Sequence, residues 1–500
     1  MFTVKSSSVL LVLALLLVST SRAIPALLNN AVFSTDSWPL IRLARLLQSN
    51  PEIRVLGLSE HHAKWPSAVL ASLIYTLVTS IDVYSFYAYA GAPIVVFALA
   101  VLLYASLERL AGSAQRALGL LALLVYTPFL VFTSAYLKEV YAYPLALLVL
   151  YSALGLRGAS KWLLVLLATT ALVLSHPLTA LITLVFAPTY LFTELAERVK
   201  YGGVLSLSYR STLLLTLVLG ALYSLHALLV GIYYAFTPQD IIVLGAYGAV
   251  FYGVYFAVYA SKQSSATTAV LFVAVLATMY SLLVEGLEVS YSIILHAAPV
   301  ALLATSLLDP RSAEARLSAG VLLPVVAGVS YTLTYAKWLV TITHRLLNYL
   351  VFPLTLLALL LSKTKPRLLV PVLLLLVLNS YFALHQVSTG RDPAVFYWRY
   401  TLGDLVLGDF LREYSTRPVV AGAKYSYLLG SGVATTSLDL LSLSSPRACS
   451  SGERLLLVVS RDELVYGVPV SPLHYIKLAS NTLHCSSVVY SSLLGYVVVR

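Results

Sequence analysis

Residues 161–195 read KWLLVLLATTALVLSHPLTALITLVFAPTYLFTEL, and between Lys161 and Glu194 they hold no Asp, Glu, Lys or Arg. Two apolar runs, 161–175 and 177–195, meet at His176-Pro177. Such runs belong in a bilayer, where about 20 residues of helix cross the hydrocarbon core. Proline in the first turn of a helix forfeits no hydrogen bond. The break therefore reads as a hairpin between two spans, with a re-entrant pair as the alternative.

Outward from this hairpin the texture repeats. Of 500 residues, 59% are hydrophobic and 11% charged, and mean hydropathy is +0.88. A soluble chain carries about 25% charged residues, so an ordinary soluble enzyme is excluded. Further apolar stretches run at 84–107, 117–134, 140–156, 211–236, 241–260, 267–284, 290–308, 317–336, 344–361 and 367–385, which with a first helix makes thirteen predicted spans. The first segment has one charge, Lys5, before the apolar run Val9–Val18. It reads as a signal peptide cut after Ser21 and Ala23 or as a retained helix continuing through Ala26-Leu27-Leu28, and the retained helix is preferred.

Lys and Arg collect on the cytoplasmic side of membrane proteins. With Lys5 cytoplasmic, thirteen positive residues, from Arg109 and Arg116 to Lys365 and Arg367, fall in alternate connections, against Lys138, Lys337 and Arg345 in the short connections opposite. This predicts a multi-pass protein of the cell membrane whose loop 29–83 and C-terminus lie outside the cytoplasm. Within that loop, Pro66–Ile81 is read as a helix on the membrane surface, since a fourteenth span would invert the charge pattern. The borders also account for the net charge of +11, so no nucleic-acid partner is expected.

Residues 1–385 carry 35 Asp, Glu, Lys and Arg, whereas 386–500 carry 18 in far less chain. The division predicted is a transmembrane domain, 1–385, and an extracytoplasmic α/β domain, 386–500. The latter's β-branched runs are 418–423, 454–460 and 495–499. Its two cysteines, Cys449 and Cys485, are the only ones in the chain, and an external compartment permits a disulfide between them. Two buried thiols are the alternative.

All nine histidines avoid the cytoplasmic loops, and acidic residues gather on the same outer face. Ionisable groups at membrane level are costly and usually functional. A transporter or scaffold remains an alternative, but a transporter needs charges along a midplane path. A lipid-linked polysaccharide polymerase or ligase would place Arg and His in a large late external loop, and the late loops here are short.

Several local patterns carry candidate chemistry. Asp36, in Phe33-Ser34-Thr35-Asp36-Ser37-Trp38-Pro39, is a catalytic carboxylate or a helix N-cap. Glu60-His61-His62-Ala63-Lys64-Trp65 offers histidines for a phosphate or sugar, or less readily a metal. Lys138-Glu139, in Tyr136-Leu137-Lys138-Glu139-Val140-Tyr141-Ala142-Tyr143-Pro144-Leu145, forms a functional pair or a snorkelling one. His176, in Ser175-His176-Pro177-Leu178-Thr179, orders its loop or meets substrate. Lys337, His344 and Arg345 break the positive-inside trend, as an anionic headgroup site would require. No Walker motif, GxGxxG or HExxH occurs.

Together, the acidic residue opening a long external loop, the His-His-x-x-x-Pro stretch, the Lys-Glu-x-x-Ala-x-Pro-Leu turn and the His-Pro-Leu-Thr turn resemble the GT-C superfamily. Its nearest members in pattern are archaeal transferases of the dolichyl-phosphate-mannose type. The motif likeness covers roughly residues 1–200. The resemblance implies a glycosyltransferase that takes sugar from a polyprenyl-phosphate lipid at the extracytoplasmic face, for an acceptor it does not specify. It also implies that Asp36 and Glu139 match the two acidic positions, as catalytic base or metal carboxylate. Asp36-Ser37-Trp38 departs from Asp-x-Asp, and Trp-Trp-Asp-Tyr-Gly is absent; the pattern leaves a divalent metal open and names no other cofactor. Sugar transfer needs a base for the acceptor hydroxyl and cations for the departing phosphate. Asp36 is the expected base with Glu139 assisting, while His61, His62, Lys138, His176, Lys337, His344 and Arg345 are expected at substrate.

Overall fold

The computed structural model describes residues 6–58, 61–158, 160–201, 208–230, 238–261, 313–336, 340–364, 377–378, 380–381, 385, 397–414, 419–430, 434–435, 456–460, 463, 468–471, 474–476, 487–492 and 495–499. Glu60, Lys337, Cys449, Cys485 and the apolar runs 267–284 and 290–308 lie outside them, as does most of 367–385.

Six helices among the described residues are long and apolar enough to cross a membrane: Ser7–Asn29, Val83–Ser106, Pro177–Val199, Tyr209–Val230, Ala313–Thr332 and Ile342–Lys363. Their sides divide between protein and lipid. Leu217, Leu228 and Leu229 are exposed on Tyr209–Val230, whereas Leu350, Val351, Leu354 and Leu359 are buried within Ile342–Lys363. Without a hydrophobic drive between helices in lipid, close approach through small residues matters most. Gly320 shows it: a Cβ there would meet the Phe186 ring at 2.8 Å.

The predicted hairpin forms as two helices, Ser160–Val173 and Pro177–Tyr201. His176 Nδ1 accepts from the Thr179 backbone N–H at 3.3 Å, capping the second helix. The run 140–156 begins earlier than its apolarity suggests, as the helix Lys138–Leu150, and continues as a π turn, Tyr151–Gly155. Lys138 and Glu139 are thus its first turn, where a carboxylate is favoured by the helix dipole. The stretch 66–81 forms the helix Ser67–Thr79, with Ile74, Leu77 and Val78 exposed.

The run 117–134 is not one straight span. It divides into Ser113–Leu120, Ala122–Val125 and Thr127–Phe132, with Tyr126 in extended backbone. Pro128 supplies no N–H to the preceding turn, which ends the helix there. Arg22 fills the space this irregularity opens. It is fully buried, and its guanidinium donates to Thr133 Oγ1 at 3.0 Å, to Val18 O at 3.0 Å and to Leu123 O. The first helix is thereby fixed to the bundle by hydrogen bonds to carbonyls and hydroxyls.

The C-terminal strands are β1 (Val419–Ala421), β2 (Ala434–Thr435), β3 (Leu456–Ser460), β4 (Val468–Ser471), β5 (His474–Ile476), β6 (Ser487–Ser492) and β7 (Gly495–Val499). Five of them form a sheet in the order β2-β1-β3-β7-β6, with β2, β1 and β3 parallel and β7 antiparallel to both neighbours. The helix Ala423–Leu429 follows β1 and rests on Leu402–Tyr414. Gly408 permits that contact, since a Cβ there would meet Leu428 at 2.9 Å. The segment 397–400 joins this part to the N-terminal loop: Trp398 O accepts from Ser34 N–H at 2.7 Å, and Tyr400 packs edge-on to Trp38 at 5.5 Å.

Gly91 is the tightest of these packing points. A Cβ there would lie 2.7 Å from the ring of Tyr136, which is buried between Phe86 and Tyr87 and donates to Ala68 O at 2.8 Å. That ring has nowhere to move. Gly91→Ala should destabilise the fold by about 1–3 kcal/mol through overpacking, read as a lowered Tm in detergent; an unchanged Tm would mean the ring can shift.

Candidate active site

The residues singled out at one end of the bundle converge. A cavity of about 370 Å³ is lined by Asp36, His61, His62, Lys138, Glu139, His176 and Arg345, together with Leu40, Phe132, Leu137, Pro177, Leu178, Leu181, Tyr223, Ile342 and Tyr427. The volume is that of a small-molecule site. Its acidic and basic groups come from five separate parts of the chain, and its apolar wall comes mostly from the helices around the hairpin.

Asp36 sits on a loop held in an unusual backbone. Asn30 and Ser34 adopt left-handed φ of 50° and 85°, which non-glycine residues reach only when their surroundings impose it. Those surroundings are the Trp398 carbonyl on Ser34 and the Tyr397 carbonyl that accepts from the Thr35 hydroxyl. Asp36 precedes the helix Ser37–Ser49, but its side chain makes no capping bond. The carboxylate turns instead to Arg345, whose Nη2 donates to Oδ2 at 2.9 Å. The capping alternative is therefore replaced by an ion pair across 309 residues.

Arg345 faces the second carboxylate as well. Its Nη1 lies 3.7 Å from Glu139 Oε2, and His176 Nε2 lies 3.8 Å from the same oxygen. Glu139 is 1% exposed; its Oε1 accepts from Tyr143 O–H at 2.8 Å, and Oε2 has no hydrogen bond. Tyr143 lies one helical turn beyond Glu139, a spacing at which side chains meet. His176 is held from its other side by Thr179 Oγ1 at 3.0 Å, which in turn accepts from Tyr349 O–H at 2.9 Å.

Lys138 has a different environment. Its Nζ lies 4.9 Å over the Trp65 ring and has no hydrogen bond or ion pair among the described residues. The turn His61–Lys64 brings both histidines to the same region, His61 packing edge-on to Trp65 at 4.8 Å. Burial, and next the Lys138 charge, push His61 down to about 4 and His62 to about 2. Both imidazoles are neutral near pH 7 and can each offer one donor and one acceptor.

His344 is not among the lining residues. Its ring lies between Phe132 at 6.1 Å and Trp398 at 5.8 Å, one residue before Arg345 on the helix Val340–Asn348. Successive helical residues point in different directions, so the sequence placed His344 and Arg345 together where the helix separates them. Tyr427, Tyr143 and Tyr223 escaped the sequence reading. The i, i+4 spacing after Glu139 could have found Tyr143, but no local signal marks Tyr427, which reaches the cavity from the C-terminal part.

No group of three His, Cys, Asp or Glu among the described residues is arranged to hold a metal ion. Asp36 and Glu139 share a guanidinium that a divalent cation would have to displace. The described cavity residues do not fit a resident divalent metal.

The bridging arginine should couple the two carboxylates energetically. In a double-mutant cycle, Arg345→Leu and Asp36→Asn should show a coupling of about 0.5–3 kcal/mol in thermal or denaturant unfolding; additive effects would mean that the pair contributes nothing. The histidines make a separate prediction. Their folded pKa values lie below the ordinary 6.5, so between about pH 6.5 and 4 the unfolded chain binds more protons and stability falls as pH falls. The double variant His61→Gln, His62→Gln should lose stability less steeply than the unaltered chain from pH 7 to 5; an identical slope would show that the histidines are not held neutral.

No protein-family model matches the chain, and no curated protein matches it. Among solved structures, the apo state of ArnT from Cupriavidus metallidurans aligns with a TM-score of 0.41 at 12% identity, covering 98% of this chain and 97% of that one. The same protein bound to undecaprenyl phosphate aligns with a TM-score of 0.39 at 12% identity and the same coverage.

Proposed function

We propose that this protein is a membrane glycosyltransferase that moves a sugar from a polyprenyl-phosphate donor to an acceptor hydroxyl at the extracytoplasmic membrane face. The observation that carries the reading is one cavity, at the end of a membrane bundle, that holds a carboxylate oriented by an arginine and, apart from it, a lysine with no carboxylate partner among the described residues. Lys138 is the cation expected to meet an anion. The neutral His61 and His62 beside it add donors without adding charge.

In this reading the acceptor oxygen attacks the sugar's anomeric carbon as the bond from that carbon to the phosphate oxygen breaks. Asp36 takes the acceptor proton. Arg345 holds one oxygen of that carboxylate and leaves the other for the hydroxyl. The polyprenyl phosphate departs as an anion, with Lys138 stabilising the charge that develops on its oxygen, so no second carboxyl group is needed as an acid. Glu139, fixed by Tyr143, faces Arg345 from behind and is the positioning carboxylate. Leu178, Leu181, Tyr223 and Ile342 offer an apolar wall for the first isoprene units. A cavity of about 370 Å³ suits one sugar and a phosphate better than a polymer. The clustering of positive residues in alternate connections supports the extracytoplasmic side, and the motifs of residues 36–179 resemble those of the GT-C superfamily.

Two variants separate the roles. Asp36→Asn should slow sugar transfer by about 10²- to 10⁴-fold, the usual worth of a general base, while binding polyprenyl phosphate normally. Lys138→Ala should weaken polyprenyl-phosphate binding about tenfold or more, as loss of a charge-assisted contact does. Full-length protein in nanodiscs that binds no polyprenyl phosphate, or a Lys138→Ala variant that binds it unchanged, would overturn the reading.

A further inference from the structure

One wall of the cavity does not come from the membrane bundle. Tyr427 lies on the seven-residue helix Ala423–Leu429, and this short helix is anchored at both ends. At its start, Lys424 Nζ pairs with Asp404 at 3.2 Å, Tyr425 O–H donates to the same carboxylate at 2.5 Å, and Tyr400 O–H donates to Lys424 O at 2.6 Å. Asp404 also accepts from Thr401 N–H at 2.8 Å. At its end, two guanidinium groups converge on carbonyls that a helix leaves unsatisfied. Arg42 donates to Tyr427 O, and Arg412 donates to Leu428 O at 2.5 Å.

Arg42 belongs to the helix Ser37–Ser49, which begins directly after Asp36. The helix that carries Tyr427 is therefore tied to the helix that follows the proposed base. Gly430 makes the approach possible: its φ is +88°, and a Cβ there would lie 3.2 Å from Arg42 Nε. So many polar anchors on so short a helix fix one thing that faces the cavity, the side chain of Tyr427. Its phenol has no hydrogen-bond partner among the described residues. The nearby Asp36 charge, and then burial, raise it to about 12, so it stays a hydrogen-bond donor at any physiological pH.

We infer that Tyr427 forms the acceptor side of the active site and donates a hydrogen bond that holds the acceptor at Asp36. The inference rests on the glycosyl-transfer reading and extends it. Nucleophile and leaving group lie on opposite sides of the anomeric carbon in a displacement. In the glycosyl-transfer reading Lys138 takes the leaving phosphate, while Tyr427 lines the cavity with the base that meets the nucleophile. The C-terminal part thus acts on acceptor recognition rather than on the lipid phosphate.

The test uses the full-length protein in nanodiscs, a radiolabelled polyprenyl-phosphate hexose as donor and a solubilised envelope fraction of the source cells as acceptor. Three quantities are read: polyprenyl-phosphate binding, sugar transferred to the envelope fraction, and sugar released to water. Tyr427→Phe should cut transfer about tenfold, the worth of one hydrogen bond to a polar partner. Its binding of polyprenyl phosphate should stay within about twofold, and its release to water should stay the same or rise. Transfer equal to that of the unaltered protein would overturn the proposal, as would phosphate binding that falls in step with transfer. If the unaltered protein neither binds polyprenyl phosphate nor consumes the donor, the glycosyl-transfer reading fails and this inference with it.

Discussion

The guanidinium of Arg345 is the group on which the site depends. It meets Asp36 at 2.9 Å and faces Glu139 at 3.7 Å, and without it two carboxylates would share a largely dry space. A charge at membrane depth is costly unless a counter-charge or hydrogen bonds meet it. The pairing has a structural consequence beyond charge balance, because the three residues come from the N-terminal loop, the first turn of Lys138–Leu150 and the late helix Val340–Asn348. Closing the triangle orders elements far apart in the chain. It also leaves Lys138 as a cavity residue without a carboxylate partner among the described residues.

A second constraint supports the first. Asp36 can reach Arg345 because the loop before it is bent through left-handed Asn30 and Ser34, and the carbonyls of Tyr397 and Trp398 hold that bend. The C-terminal part therefore braces the proposed base as well as lining the cavity through Tyr427. This arrangement explains why the chain joins an apolar bundle to a small sheet. Local strain at a site needs surroundings that impose it, and here those surroundings are supplied from more than 360 residues away.

Six of the spans were legible among the described residues because apolarity over helical length has few other meanings, and the hairpin was legible because proline is tolerated in a first helical turn. The run 117–134 was misread for a related reason. Hydropathy averages over a window and does not register one proline that interrupts the ladder, so three short helices looked like one. Among the site residues, Asp36, Glu139 and His176 stood out as polar groups at the ends of apolar runs. Arg345 stood out as a positive charge on the wrong side. Tyr427 was invisible, because a tyrosine in a chain with 35 of them carries no signal until folding places it beside a carboxylate. His344, read from the same outer-side charge pattern as Arg345, does not line the cavity; helical geometry turns its ring toward Phe132 and Trp398.

The central claim is that the two ends of this cavity divide the work, with phosphate at Lys138 and base at Asp36. The measurement that addresses it most directly is an electron cryo-microscopy map of the full-length protein in lipid nanodiscs with a polyprenyl phosphate added. The account predicts headgroup density within hydrogen-bonding distance of Lys138 Nζ, roughly 3 Å, beside His61 and His62, with the isoprenoid tail leaving past Leu178 and Leu181. A phosphate seated at the other end of the bundle, on Arg316 or Lys363, or a cavity that stays empty at saturating lipid, would contradict it.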